Sequence, residues 1–244
     1  MKNFLSFLLA IVLLFGCTPN KDPQKIINLA IAKHGGQLFE GRTVTFDFRD
    51  KHYLVQRKQE GYTYIRSFED DSLGQVKDVL INSTDLERYV NDTLLNIDDE
   101  WKFKYANSVN SVLYFFQLPY GLNDAAVRKK YLGQKVINDR LYEKIQVTFG
   151  QENGGKDFED VFVYWINAKT STLDYLAYSY LTDGGGIRFR QAVNRRNIKG
   201  MTFQDYINFK PQDESVAVES LDQAFIDASL IELSQIMNEN IEIN

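Results

Sequence analysis

The chain has 244 residues, a formal net charge of −5, 44% hydrophobic and 25% charged residues. That is the composition of a folded globular protein, not of a disordered or fibrous one. The net acidity and the lack of a basic stripe speak against nucleic acid as a partner, and a single cysteine excludes an internal disulfide.

Lys2 precedes an apolar stretch from Phe4 to Phe15, shorter than the ~20 apolar residues that a membrane-spanning helix requires. A basic start, an apolar middle and a small residue before a cut site form a secretory signal. Leu14-Phe15-Gly16-Cys17 resembles the lipobox of bacterial lipoproteins, with Phe15 bulkier than the usual small residue. The resemblance implies that residues 1–16 leave as a signal peptide and that Cys17 receives lipid on its thiol and its freed amine. Several acyl chains make such an anchor effectively permanent. No free thiol then remains, so thiolate catalysis is excluded as well. Residues 17–22 are expected to form a short lipidated tether. Thr18, not Asp, follows the cysteine, and no acidic cluster comes after it. By the same resemblance the address is the cell envelope, at the outer membrane and facing the periplasm.

Asp22-Pro23 predicts a helix start, with Ile26, Ile27, Ala30 and Ile31 on one face and Gly35-Gly36 as its end. Val44, Phe46 and Phe48 alternate with Thr43, Thr45, Asp47 and Arg49, the pattern of a half-buried strand. Segments 52–58, 61–68, 75–82 and 86–91 read the same way. Acidic residues at 98–100 suit a helix N-terminus. Trp101, Tyr105, Val109, Val112 and Phe116 then recur at helical spacing as far as Leu118-Pro119. A second short helix is expected from Asn123 through Val127 towards Gly133. Further strands are expected at 134–138, 141–149, 160–167, 172–181, 187–197 and 201–209. The tail from Pro211 holds eight acidic residues and neither Lys nor Arg. Its Leu221, Ala224, Phe225, Ala228 and Ile231 predict an amphipathic helix, capped by Ser220 and Gln223 in a capping box. That helix could pack on the domain or dock a partner.

This order, with the paired segment YWINAKTSTLDYLAYSYL at 164–181, resembles the outer-membrane lipoprotein carriers and receptors LolA and LolB. The resemblance implies an α+β fold, in which a curved antiparallel sheet (a half-barrel) wraps internal helices, here followed by a C-terminal helix. The expected half-barrel covers residues 23–210, with residues 211–244 as the acidic tail. NSVNSVLYFFQLPYGLND (107–124), EDVFVYWIN (159–167) and GGGIRFRQAVNRR (184–196) resemble an uncharacterised family of bacterial lipoproteins. That likeness implies fold and address but no activity.

No constellation for catalysis stands out. His34 and His52 are isolated, which speaks against a metal site and against a Ser-His-Asp triad. His34 near the end of the first helix would suit the helix dipole as a cation. Asp183-Gly184-Gly185-Gly186 is followed by alternating residues, so it reads as a hairpin turn and not a phosphate loop. Glu159 and Asp160 are adjacent in sequence and would point to opposite faces of a strand. No cofactor is called for.

The remaining signal lies in the C-terminal strands. Val161 to Ile166 is apolar on both faces, with Tyr164 and Trp165 opposed, and Tyr178 lies opposite Tyr175. Such strands need cover on both sides. Arg188 and Arg190 share a face, with Asp174, Asp205 and Asp160 as candidate partners if they point inward. Inward, beside Tyr and Trp, they would suit an anionic head group with an apolar tail; outward, they would be ordinary surface charges. The candidate ligand-binding set is therefore Arg188, Arg190, Tyr164, Trp165, Tyr178 and Asp174, and which strand faces point inward stays open. The expectation is a non-enzymatic, membrane-anchored periplasmic lipoprotein that binds or carries a lipid or other amphiphile. The alternatives are an envelope-acting hydrolase using Asp160 and Asp174 with Arg188, and an assembly lipoprotein that docks a protein partner.

Overall fold

A computed structural model describes residues 21–58, 61–82, 85–150, 160–181 and 184–244. Cys17, Glu159 and Asp183 lie outside the described residues.

The first helix, α1 (Pro23–Lys33), starts where expected, with the Asp22 carboxylate accepting the Gln24 N–H. Gly35 at φ 71° takes the chain away from it. Six strands follow as a meander: β1 (Thr43–Phe48), β2 (Lys51–Lys58), β3 (Gly61–Asp70), β4 (Gly74–Ile81), β5 (Asp85–Val90) and β6 (Thr93–Leu95). The central helix α2 (Asp99–Gln117) is capped by the Asp98 carboxylate on the Trp101 N–H. A second meander then runs through β7 (Val127–Ile137), β8 (Arg140–Phe149), β9 (Val161–Asn167), β10 (Leu173–Tyr180), β11 (Gly186–Ile198) and β12 (Met201–Pro211). The chain finishes with α3 (Leu221–Ile226), β13 (Leu230–Ile236) and β14 (Glu239–Ile243).

The result is two antiparallel seven-stranded sheets, ordered β14-β1-β2-β3-β4-β5-β6 and β13-β12-β11-β10-β9-β8-β7. The last two strands join them, because β13 pairs with β12 while β14 pairs with β1. The corner between them is fixed by side chains. Asp205 accepts the Asn238 N–H at 2.9 Å and the Arg196 guanidinium at 3.1 Å, and the Arg196 guanidinium also reaches the Asn238 carbonyl.

Two expectations fail locally. Residues 123–133 contain no α-helix: Tyr120–Asn123 is one 3-10 turn, and β7 begins at Val127. The tail helix is also shorter than its apolar spacing suggests. Ala228 adopts φ 52° and Ile231 lies in β13, while Ser220 makes no side-chain cap. A left-handed residue ends the helix whatever the periodicity beyond it.

Packing explains why both faces of the second sheet are apolar. On one face Phe162, Tyr164, Ile166, Leu176 and Tyr178 pack with Ile27, Ala30 and Ile31 of α1. On the other, Val163, Trp165, Tyr175 and Phe189 are covered by Val218 and Leu221, with Phe225 packed alongside. Helix α2 buries Ala106, Val109, Leu113 and Phe116 against the first sheet. Phe116 stacks on Phe46 of β1 at 3.6 Å and on Phe203 of β12 at 5.1 Å, so one ring touches both sheets. Lys104 and Ser111 of α2 stay exposed, which leaves one side of the helix open to solvent.

Candidate functional site

The inner face of β9–β11 is built in rows by strand register. Phe162, Tyr178 and Arg188 lie side by side in one row, and Tyr164, Leu176 and Arg190 in the next. Tyr114 and Phe115 at the C-terminal half of α2 descend onto this surface. The Tyr114 and Tyr164 hydroxyls hydrogen-bond at 2.6 Å. Phe115 meets Tyr178 with ring centroids 5.0 Å apart, and Phe149 meets Phe162 edge-on at 5.7 Å.

Arg190 is the unusual member. It is only 9% exposed, and its guanidinium sits 3.8 Å above the Phe115 ring. Nη2 donates to the Tyr178 hydroxyl at 2.7 Å, while Nε is buried without a partner. Among the described residues no carboxylate forms an ion pair with it. A buried arginine held by one phenol and two rings retains donors and charge for another group. Arg188, half-buried, donates to the Tyr180 hydroxyl at 2.8 Å and to the Ile187 carbonyl. Burial pushes the Tyr114 and Tyr164 phenols above their ordinary values, so both stay protonated at neutral pH and act through hydrogen bonds.

The carboxylates considered for these arginines are engaged elsewhere. Asp174 takes Arg195 at 2.7 Å, Thr172 at 2.8 Å and the Tyr142 hydroxyl at 3.1 Å. Asp205 takes Arg196. Asp174 lines a groove of about 790 Å³ with Lys33, Arg140, Leu141, Lys169 and Arg195, at the far end of β10 from Arg188. Asp160 adjoins Val161, which pairs with Ser179, so about six residues of strand, roughly 20 Å, separate it from Asp174. These two acids do not flank one bond. Trp165 also leaves the set. It lies on the opposite face, donates to Asp222 at 3.1 Å and is held under the tail. The structure thus brings Arg188, Arg190, Tyr164 and Tyr178 together and sends Trp165 and Asp174 to separate places.

His34 is not the cation that would suit the end of α1. It is 3% exposed and accepts the Leu173 N–H on Nε2. Burial, aided by Arg195, lowers its pKa to about 4. His52 bonds Asp47 at 2.7 Å on the surface. No group of three His, Cys, Asp or Glu residues able to hold a metal occurs among the described residues.

Sequence reasoning missed a second buried charge cluster. In the first sheet Arg66 and Arg88 share the fully buried Asp78, at 2.6 and 2.7 Å. Arg66 also donates to Ser108 of α2 at 2.7 Å, and Arg88 lies 3.2 Å from the Tyr105 ring. The parity of Tyr64, Arg66 and Phe68 in β3 was the available signal. These groups are internally paired and pin α2 to the sheet.

In structure the chain is similar to a DUF1329 family protein from Desulfovibrio piger, with 10% identity, 80% of this chain and 89% of that chain covered, and a TM-score of 0.53. That likeness shows a shared fold. It is also similar to a LolA superfamily protein from Nitrosomonas europaea, at 12% identity, coverages of 90% and 92%, and TM-score 0.49. A putative outer membrane lipoprotein-sorting protein domain from Vibrio parahaemolyticus gives 8% identity, coverages of 91% and 94%, and TM-score 0.49. No curated protein sequence matches the chain. The model of a family of unknown function, DUF6503, matches residues 2–238, and the chain belongs to that family.

Proposed function

We propose that this protein is a lipid-anchored, non-enzymatic lipoprotein of the cell envelope that binds an anionic amphiphile between α2 and the second sheet. The observation that carries the reading is Arg190: a buried guanidinium with one phenolic hydrogen bond, an unpartnered Nε and no ion-paired carboxylate among the described residues. A carboxylate or phosphate head group supplies the missing counter-charge and takes two donors at once. Arg188 and the Tyr180 hydroxyl stand one row further out and meet the same head group from the solvent side. Phe115, Phe149, Phe162 and Tyr114 provide the apolar surface for its tail. Because Phe115 now stacks on Arg190, the ligand enters as that ring moves aside.

The anchor follows from the Leu14-Phe15-Gly16-Cys17 segment, and Thr18 in place of Asp after the cysteine supports the outer membrane, facing the periplasm, as the compartment.

The test uses a chain lacking residues 1–16 with Cys17→Ala, purified without detergent. Native mass spectrometry and organic extraction look for a bound amphiphile, and a fluorescent fatty acid titrates the site. Stoichiometric binding that Arg190→Gln weakens supports the reading. An apo mass together with no fatty-acid binding ends it.

A further inference from the structure

Lys21 Nζ is bonded to Glu143 Oε1 at 2.6 Å, on the β8 face that looks towards α1. Cys17 precedes Lys21 by four residues, a span of about 14 Å at full extension. A lipid on Cys17 therefore holds this corner of the protein close to the bilayer.

Two surfaces at that corner have the composition of an interfacial contact. On α1, Lys25, Leu29 and Lys33 follow one another at four-residue spacing along the exposed side, and Leu29 is 61% exposed. At the tip of the β7–β8 hairpin Val136 and Leu141 are directly paired across the strands and are 55% and 42% exposed. Leu141 and Lys33 line the same groove, together with Arg140 and Lys169. Of the two acids in that groove, Asp174 is neutralised by Arg195 and only Asp139 stands against the lysines and Arg140. Exposed aliphatic side chains ringed by cations are what a surface-lying protein presents to acidic lipid.

We propose that this face, formed by the outer side of α1 and the tip of the β7–β8 hairpin, lies on the anionic phospholipid surface of the membrane that holds Cys17. The proposal rests on the lipid-anchor reading. Its consequence is an orientation. Phe149, at the other end of β8, is eight residues from Leu141, roughly 26 Å along the strand. The aromatic cluster around Phe149, Phe162 and Arg190 then lies towards the end away from the anchoring membrane, and a ligand bound there comes from the aqueous side.

The experiment uses the full lipidated chain. With Cys17 acylated, Leu141→Cys and Leu94→Cys each give one free thiol; Leu94 is an exposed residue of β6 in the first sheet. Each thiol is labelled with an environment-sensitive fluorophore, and the protein is reconstituted into vesicles of phosphatidylethanolamine and phosphatidylglycerol. The label at position 141 should shift to shorter wavelength and be quenched by spin-labelled lipid, while that at 94 stays aqueous. Adding Lys33→Glu, Arg140→Glu and Lys169→Glu should return the 141 spectrum to that of water with the protein still anchored. Equal spectra at 141 and 94 overturn the docking face. The intact mass of the same sample separates the two readings: a lipidated chain with equal spectra removes only the orientation, whereas an unlipidated chain removes the anchor as well.

Discussion

Arg190 is held by groups that accept little charge, and removing it should therefore cost the fold little. Replacing a poorly paired buried ion with an apolar side chain of similar volume is often neutral or stabilising. Arg190→Met should leave the urea midpoint unchanged or raise it. Its affinity for a fluorescent fatty acid should fall about 30-fold, the equivalent of roughly 2 kcal/mol for a charged hydrogen bond. Destabilisation with unchanged binding would assign Arg190 to the core instead. Asp78 is the opposite case, because it neutralises Arg66 and Arg88 at once. Asp78→Asn strands two buried guanidiniums and should lower stability by about 3–5 kcal/mol in urea unfolding. His34 provides a pH signature. Its pKa is about 4 folded against an ordinary 6.5, so between those values the unfolded chain binds more protons than the native one. Stability then rises with pH through that window, is complete above about 6.5 and is lost on acidification, by about 3 kcal/mol in all. Urea midpoints at pH 4.5 and 7 should show that slope, and His34→Gln should flatten it.

Among the elements, the tail does most that was not expected of it. Its α3 covers the outer aromatic face, β13 extends the second sheet, and β14 extends the first. Asp222 is the fastening, accepting Lys144 at 2.6 Å and Trp165 at 3.1 Å while 2% exposed. Asp222→Ala leaves the buried Lys144 ammonium with no counter-charge and only the Glu219 carbonyl, and the Trp165 indole N–H without an acceptor, for a loss of about 3–5 kcal/mol. The double change Asp222→Leu with Lys144→Met should recover most of it, since no charge is then stranded. If the double variant is as weak as the single one, the tail is held mainly by other contacts. Helices α1 and α2 were legible because Asp22-Pro23 and Asp98 mark their starts and a 3.6-residue period follows. The two-faced apolar strand at 161–166 correctly demanded cover on both sides. Strand β13 was illegible because it is an edge strand, exposing Ile231 and Leu233 at 43% each, so burial imposes no alternation on it. Strand β7 was read partly as helix because Arg128, Lys129 and Lys130 obscure the alternation of Val127 and Tyr131. The shared face of Arg188, Arg190 and Tyr178 could be read from parity alone. Their true partner Phe115 could not, since it comes from a helix some seventy residues earlier, and only tertiary packing sets it over Arg190.

At the scale of the whole molecule, charge is segregated along the chain. The tail from Pro211 carries −8, and removing Lys2 from the total of −5 leaves −6, so residues 18–210 carry about +2. The acidic tail covers the outer face of the second sheet, whereas Lys33, Arg140 and Lys169 line one groove and Lys25 lies on the exposed side of α1. Attachment to a membrane would then have two parts of different physical kind. Acyl chains on Cys17, as proposed above, would hold by apolar burial, which salt does not weaken. The cationic face holds by long-range attraction to acidic lipid, which is screened once the Debye length falls to about 3 Å near 1 M salt. Raising sodium chloride from about 0.1 M to 1 M should therefore leave the lipidated protein in the vesicle fraction on flotation. The same change should move a fluorophore at position 141 part of the way towards its spectrum in water, the remainder being the contribution of Leu29 and Val136. Release of the protein from the vesicles by salt would mean that charge alone holds it, and that Cys17 carries no lipid.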